Sequence, residues 1–219
     1  MDKQTTTYID KYKIIEYNGC NIFVIEDVFS KDVCENLIKN IKEANCKKLS
    51  FSDGNNVECY TITDLNYKNL NNIVSEKMIE IINEIKKLKN IPIHGFTEIE
   101  IRKVYGETRV HSDGVCSNIV KHPTRNHDLK SIRSITIVGV LNDDYDGGEY
   151  NFPIQNVKFK LKAGSFVVFP PYWTHSHSVS KIVLKPNCNE YRYIVSCWGM
   201  DNFLIKYDTD ENLNNIIIL

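Results

Sequence analysis

Apolar residues recur at helical spacing in the first part of the chain and at every second position in the rest. In "SKDVCENLIKNIKEANCKK" (30–48), Val33, Leu37, Ile38 and Ile41 fall on one face of a helix, with Ser30 placed as its N-cap. "LNNIVSEKMIEIINEIKKLKN" (70–90) repeats the pattern through Ile73, Met78, Ile81, Ile82 and Ile85, and predicts a second amphipathic helix that stops before Pro92. "NIFVIEDVFS" (21–30) predicts a short strand leading into a turn, and "FSDGNNVECYTITDLNYKN" (51–69) reads as loop with some alternation. From about residue 96 the period shortens to two. "FTEIEIRKVY", "SITIVGVLN", "GEYNFP", "VKFKLKAGSFVVFPP" and "YRYIVSCWG" are short, β-branched and aromatic, and are separated by Gly, Asp, Pro or Asn turns.

Helices first and strands after predict an α+β protein whose main body is an antiparallel sandwich or jelly roll. The division expected is an N-terminal strand and helices over 1–95, packed on a β core over 96–219, the whole forming one structural domain. The polar segment "VCSNIVKHPTRNHDLK" (115–130) predicts a mobile loop.

Composition narrows the class. The chain has 219 residues, 42% hydrophobic and 25% charged, with a formal net charge of -1. These are ordinary globular values, without the basic stripe of a nucleic-acid binder. His122 and His127, in "HPTRNH", read as solvated loop residues. No apolar run reaches the roughly 20 residues of a membrane span, and the start lacks the apolar core of a signal peptide. Seven cysteines are scattered singly without a C-x-x-C pair, which predicts reduced thiols in a cytoplasmic or nuclear compartment. Oligomeric state is not legible.

The candidate chemistry begins at "VYGETRVHSDG" (104–114). In an extended chain, residues two apart share a face, so His111 and Asp113 converge on one point. Chance supplies such a pair often, and a solvated strand end is the plain alternative. Downstream, "AGSFVVFPPYWTHSHSVSKI" (163–182) carries His175 and His177. If either meets His111 and Asp113, two imidazoles and a carboxylate form the facial triad of non-haem Fe(II) oxygenases, with the other side open. Arg192 lies within the apolar "YRYIVSCWG", where a guanidinium is costly unless it meets an anion. It shares a face with Ser196, so the two can grip one carboxylate. A buried ion pair with an acid of this chain is the competing reading.

The order H-x-D, "LNDDYDGGEYNFP", "GSFVVFPPYWTHSHSV" and "RYIVSCW" resembles the catalytic domain of Fe(II)- and 2-oxoglutarate-dependent dioxygenases, closest to the prolyl 4-hydroxylase and procollagen lysyl hydroxylase group. The resemblance spans roughly residues 96–200, with a weaker echo in "VIEDVFSKDVCENLI". It implies a double-stranded β-helix (jelly roll) holding Fe(II) through His111, Asp113 and His177, with His175 as a neighbour. Arg192 then binds the far carboxylate of 2-oxoglutarate. Tyr105 and Thr136 fall where the group places walls of the co-substrate pocket, and Gly147 and Gly148 form a structural turn. The implied activity hydroxylates an unactivated C–H bond as 2-oxoglutarate becomes succinate and carbon dioxide, with ascorbate a candidate reductant. A peptide or protein side chain is the favoured substrate, prolyl before lysyl, ahead of a small molecule. The alternatives are a jelly-roll binding module without chemistry and a cupin-type enzyme using another metal.

Overall fold

The computed structural model describes residues 4–9, 11–44, 46–49, 57–62, 68–97, 99–114, 118–121, 127–186 and 188–206. In chain order, β1 (Gln4–Ile9), β2 (Tyr12–Tyr17) and β3 (Ile22–Ile25) precede α1 (Lys31–Glu43). β4 (Lys47–Leu49) and β5 (Val57–Ile62) precede α2 (Lys68–Lys89). Then come β6 (Gly95–Phe96), β7 (Glu100–Gly106), β8 (Thr108–His111), β9 (Asn118–Lys121), β10 (His127–Val140) and β11 (Tyr145–Asp146). The last six are β12 (Tyr150–Phe152), β13 (Val157–Phe159), β14 (Phe166–Phe169), β15 (His177–Val179), β16 (Val183–Leu184) and β17 (Arg192–Lys206).

A major sheet runs β1-β2-β3-β14-β10-β17-β7-β5-β4, with β6 added on β17 and β9 on β10. A minor sheet, β13-β12-β15-β8, lies against it, and β11 pairs with β16. Every pairing is antiparallel. Two facing antiparallel sheets make the jelly roll.

Alternation along the central strands sorts their side chains into two cores. On β17, Tyr193, Val195 and Cys197 point outward, and on β14, Phe166 and Val168 do the same. Leu37, Ile38 and Ile41 of α1 and Met78, Ile81 and Ile85 of α2 cover that face. On the opposite face, Ile194, Val167, Phe169, Val140 and Val104 meet Tyr150, Phe152, Val157 and Val179 of the minor sheet. Strands buried on both sides read as continuous apolar runs, which is why "FVVF" shows no polar partner positions.

Ser30 caps α1 as expected, its hydroxyl accepting from the Val33 amide at 3.4 Å. α2 ends at Lys89, ahead of Pro92, with three lysines in its last turn to complement the helix dipole. Gly147 and Gly148 have φ of +72° and +71°, and a Cβ on Gly147 would strike the Lys181 carbonyl. Both therefore serve the tight turn into β12.

Two regions depart from the sequence reading. The hairpin of β1 and β2 is a full six-residue ladder, although "QTTTYI" carries no apolar alternation; its partner strand supplies the buried face. Residues 118–121 and 127–130, expected as loop, form β9 and the start of β10, because β10 continues past the core and β17 follows it to Lys206. The rest of 115–130, including His122, lies outside the described residues, as does most of 51–69 beyond β5. Among the described residues no helix is long and apolar enough to cross a membrane. Cys20, Cys34, Cys46, Cys188 and Cys197 are free thiols.

Candidate metal and co-substrate site

Pairing of β8 with β15 sets His111 directly opposite His177. Asp113 follows two positions on, and its Oδ1 lies 3.5 Å from Nε2 of His111. The ligand atoms of His111, Asp113 and His177 all fall within 4.8 Å of one another.

The hydrogen bonds around the histidines determine which nitrogen is offered. Nδ1 of His111 is 2.8 Å from the Arg109 carbonyl, and Nδ1 of His177 is 3.2 Å from the His175 carbonyl. A carbonyl only accepts, so each Nδ1 carries the proton and each Nε2 presents a lone pair. Phe152 and Phe169 pack against the His177 ring, with centroids 5.5 and 4.6 Å away. Burial pushes His177 down to about 4, so its imidazole is neutral at neutral pH. Burial opposes the charge of Asp113, but the closeness of the His111 and His177 rings and the hydrogen bond from the Thr136 hydroxyl hold its carboxyl below the usual carboxylate range. Two imidazoles and one carboxylate converging on one side suit Fe(II).

His175 is spent elsewhere. Its Nε2 donates to the Cys20 carbonyl at 2.7 Å, and its Nδ1 accepts from the Thr174 hydroxyl at 3.0 Å. Both nitrogens are occupied by structural partners.

Arg192 lies on the inner face of β17 at 4% exposure. Its Nη1 has no hydrogen-bond partner, and the hydroxyls of Ser196 and Tyr150 are likewise buried and unpartnered. The guanidinium carbon sits 5.6 Å from the Tyr150 ring centroid. The buried ion pair weighed from the sequence is not formed: among the described residues no carboxylate bridges to Arg192. Burial pushes the Tyr150 phenol up, which keeps its hydroxyl a donor. Arg192 and Tyr150 lie together and Ser196 shares the inward face of β17; buried, unmatched polar groups of this kind fit a carboxylate, and 2-oxoglutarate brings one at its far end.

Thr136 and Tyr105 fall differently from the sequence expectation. The Thr136 hydroxyl donates to Oδ2 of Asp113 at 2.8 Å. Tyr105 shares the helix-covered face of β7 with Ile101 and packs edge-to-face on Tyr191, with centroids 6.5 Å apart. Val104, not Tyr105, pairs with Arg192, so Tyr105 is turned away from the interior. Tyr150 was missed by the sequence reading. Its signal was available: it lies two positions before the inward Phe152 on one short strand.

Beyond Asp113, the indole of Trp198 carries two guanidiniums, with Arg133 3.8 Å and Arg102 5.6 Å from a ring centroid. Its Nε1 is buried without a partner.

Residues 101–200 match the family model of the 2OG-Fe(II) oxygenase superfamily. No curated protein matches the chain. The fold is similar to viral collagen prolyl hydroxylase vCPH from Paramecium Bursaria Chlorella virus-1, solved as a 2OG complex, with a TM-score of 0.60 at 18% identity over 84% of this chain and 98% of that one. A Trichoplax adhaerens prolyl hydroxylase, in complex with a hypoxia inducible factor oxygen degradation domain peptide fragment, aligns with a TM-score of 0.58 at 16% identity, over 84% and 85%. A Pseudomonas putida prolyl-4-hydroxylase aligns with a TM-score of 0.57 at 15% identity, over 84% and 94%. These likenesses establish the double-stranded β-helix. The family match runs from within β7 to within β17. The protein is accordingly an oxygenase that uses Fe(II) and 2-oxoglutarate.

Proposed function

We propose that the protein hydroxylates a side chain of a peptide or protein, prolyl in first place, with Fe(II) held by His111, Asp113 and His177. The observation that carries the reading is the buried Arg192 guanidinium, left without a counter-ion beside the unpartnered hydroxyls of Ser196 and Tyr150. A binding module without chemistry has no use for a costly unpaired cation next to three convergent metal ligands. Neither does a cupin-type site that takes no keto acid.

Fe(II) and 2-oxoglutarate, when bound, would supply the chemistry that splits dioxygen between succinate, formed with loss of carbon dioxide, and a C–H bond of the substrate. The chain's own residues do the rest. Arg192, Ser196 and Tyr150 hold the far carboxylate and thereby orient the keto-acid end toward the histidines. Phe152 and Phe169 keep water from the back of His177. Arg109 and His175 lend main-chain carbonyls that fix the two imidazoles.

A peptide substrate is favoured by the Trp198 indole N–H, a buried donor that suits a main-chain carbonyl. The Trichoplax relative holds a peptide fragment, which points the same way. Free thiols favour a reducing compartment, cytoplasm or nucleus.

Incubation with Fe(II), 2-oxoglutarate, ascorbate and air tests the reading against proline-rich peptides, lysine peptides and small metabolites in separate arms. Succinate release with gain of one oxygen atom on a proline residue is expected. Oxygen appearing only on lysine or on a small molecule would replace the substrate assignment. Absence of succinate in every arm would sink the hydroxylase reading.

A further inference from the structure

β10 holds Asp113 at two points. Nη1 of Arg133 donates to its main-chain carbonyl at 2.8 Å, and the Thr136 hydroxyl donates to its Oδ2 at 2.8 Å. Residues three apart on a regular strand face opposite sides of the sheet, so the two contacts should not be compatible. The register shift between Arg133 and Ile135 reconciles them. Arg133 pairs with Met200 and Thr136 with Trp198, partners only two apart on β17. The extra residue, Ser134, therefore turns both side chains to the inner face. A bulge beside a site is a common means of re-aiming a side chain.

Thr136 is itself enclosed by the sheet. It is 1% exposed and paired on both sides, to Phe169 of β14 and Trp198 of β17. Its hydroxyl is thus anchored by the middle of the major sheet, and it engages one carboxylate oxygen while the other faces His111.

We propose that Thr136, aimed by the bulge at Ser134, is a positioning residue that makes Asp113 a one-oxygen metal ligand. Thr136 is then not a wall of the co-substrate pocket. With Oδ2 engaged by a hydroxyl, the carboxylate offers Oδ1 alone, and a coordination position that a two-oxygen grip would occupy stays open. The inference rests on the reading of His111, Asp113 and His177 as the metal site.

The test uses the full chain with Mn(II) as probe. Metal affinity is measured by the electron paramagnetic resonance signal of free Mn(II), first without 2-oxoglutarate. Thr136→Val keeps shape and removes the hydroxyl; the variant should bind Mn(II) about 10- to 100-fold more weakly, as for other partners of ligating groups. Thr136→Ser restores the hydroxyl and should restore affinity. The visible spectrum of the Co(II)-loaded protein should change in T136V and return in T136S, as it reports the ligand set and not stability. At saturating Mn(II), 2-oxoglutarate affinity should be unchanged in both. Unaltered metal affinity in T136V with weakened 2-oxoglutarate binding would overturn the proposal and return Thr136 to the pocket wall. If T136V does not fold, Thr136→Cys keeps a weak donor and should fall between wild type and loss, and wild-type affinity there would also overturn it. Failure of the wild-type protein to bind Mn(II) would remove the metal site itself, and this inference with it.

Discussion

His111 and His177 are register partners across β8 and β15, and their rings stand 4.4 Å apart. The two histidines proposed as metal ligands are therefore set by the pairing of two strands of the minor sheet, and their spacing is a property of that pairing. His175, two positions earlier on the same segment, is turned to the Cys20 carbonyl. Substitutions at the two histidines should separate cleanly. His177→Ala should weaken metal binding by more than about 100-fold, beyond the range for supporting residues. His175→Ala should leave metal affinity near wild type and lower stability by roughly 1–3 kcal/mol, the cost of unmatched buried partners. Mn(II) titration and denaturant unfolding measure the two effects independently, and the reverse pattern would make His175 the ligand.

Arg192 predicts an inverse relation between stability and binding. Without its anion, the guanidinium is a buried, unpaired charge. Arg192→Met should raise the stability of the cofactor-free protein by about 1 kcal/mol or more, since it replaces a desolvated charge with an apolar chain of similar length. The same change should cost about 2–5 kcal/mol of 2-oxoglutarate affinity. Unfolding in denaturant and calorimetric titration with 2-oxoglutarate read out the two. Lower stability in the Met variant would indicate that Arg192 has an internal partner after all.

Much of this site was legible because its parts obey period two. His111 and Asp113 share a face in "HSD", Arg192 and Ser196 share one in "RYIVS", and Ser30 marks the start of α1. What was not legible depends on pairing between distant strands. Tyr105 looked inward until its neighbour Val104 was found opposite Arg192, which turns Tyr105 outward. The role of Thr136 required the bulge at Ser134, and a bulge leaves no mark on hydrophobic alternation. The threonine-rich β1 has strong β-formers but no apolar stripe, so only its register with Ile14 and Ile15 of β2 identifies it as a strand.

The contact of α2 with the first hairpin carries a pH signature. Oε2 of Glu80 accepts from the Tyr12 hydroxyl, and Lys77 and Lys11 approach the same oxygen at 3.0 and 3.3 Å. The Tyr12 hydroxyl first, then Lys77, hold the Glu80 carboxyl down at about 2. A carboxyl depressed by folding adds stability above its unfolded value, and that contribution fades as pH falls from about 4.5 through 2. Glu80 is 41% exposed, so solvent screening keeps the contribution below about 1 kcal/mol. Glu80→Gln should be less stable at neutral pH and converge on wild type in acid. Parallel unfolding curves for the two proteins across that range would show that the pair is not coupled to folding.

Trp198 offers the sharpest test of a peptide substrate. Its Nε1 is buried without an acceptor, close to the strand that holds Asp113, and Arg133 and Arg102 lie over the ring. Trp198→Phe keeps an aromatic surface for both guanidiniums and removes only the donor and part of the ring. If a peptide carbonyl takes that hydrogen bond, peptide affinity should fall about 3- to 10-fold, in keeping with one net hydrogen bond. Affinity for 2-oxoglutarate, which is proposed to be gripped six residues away on β17 at Arg192, should not change. Fluorescence anisotropy with a labelled proline-rich peptide gives the first quantity and calorimetry the second. A Phe variant that binds peptide like wild type would leave the indole N–H without a substrate role and would move the search for the peptide to another wall of the site.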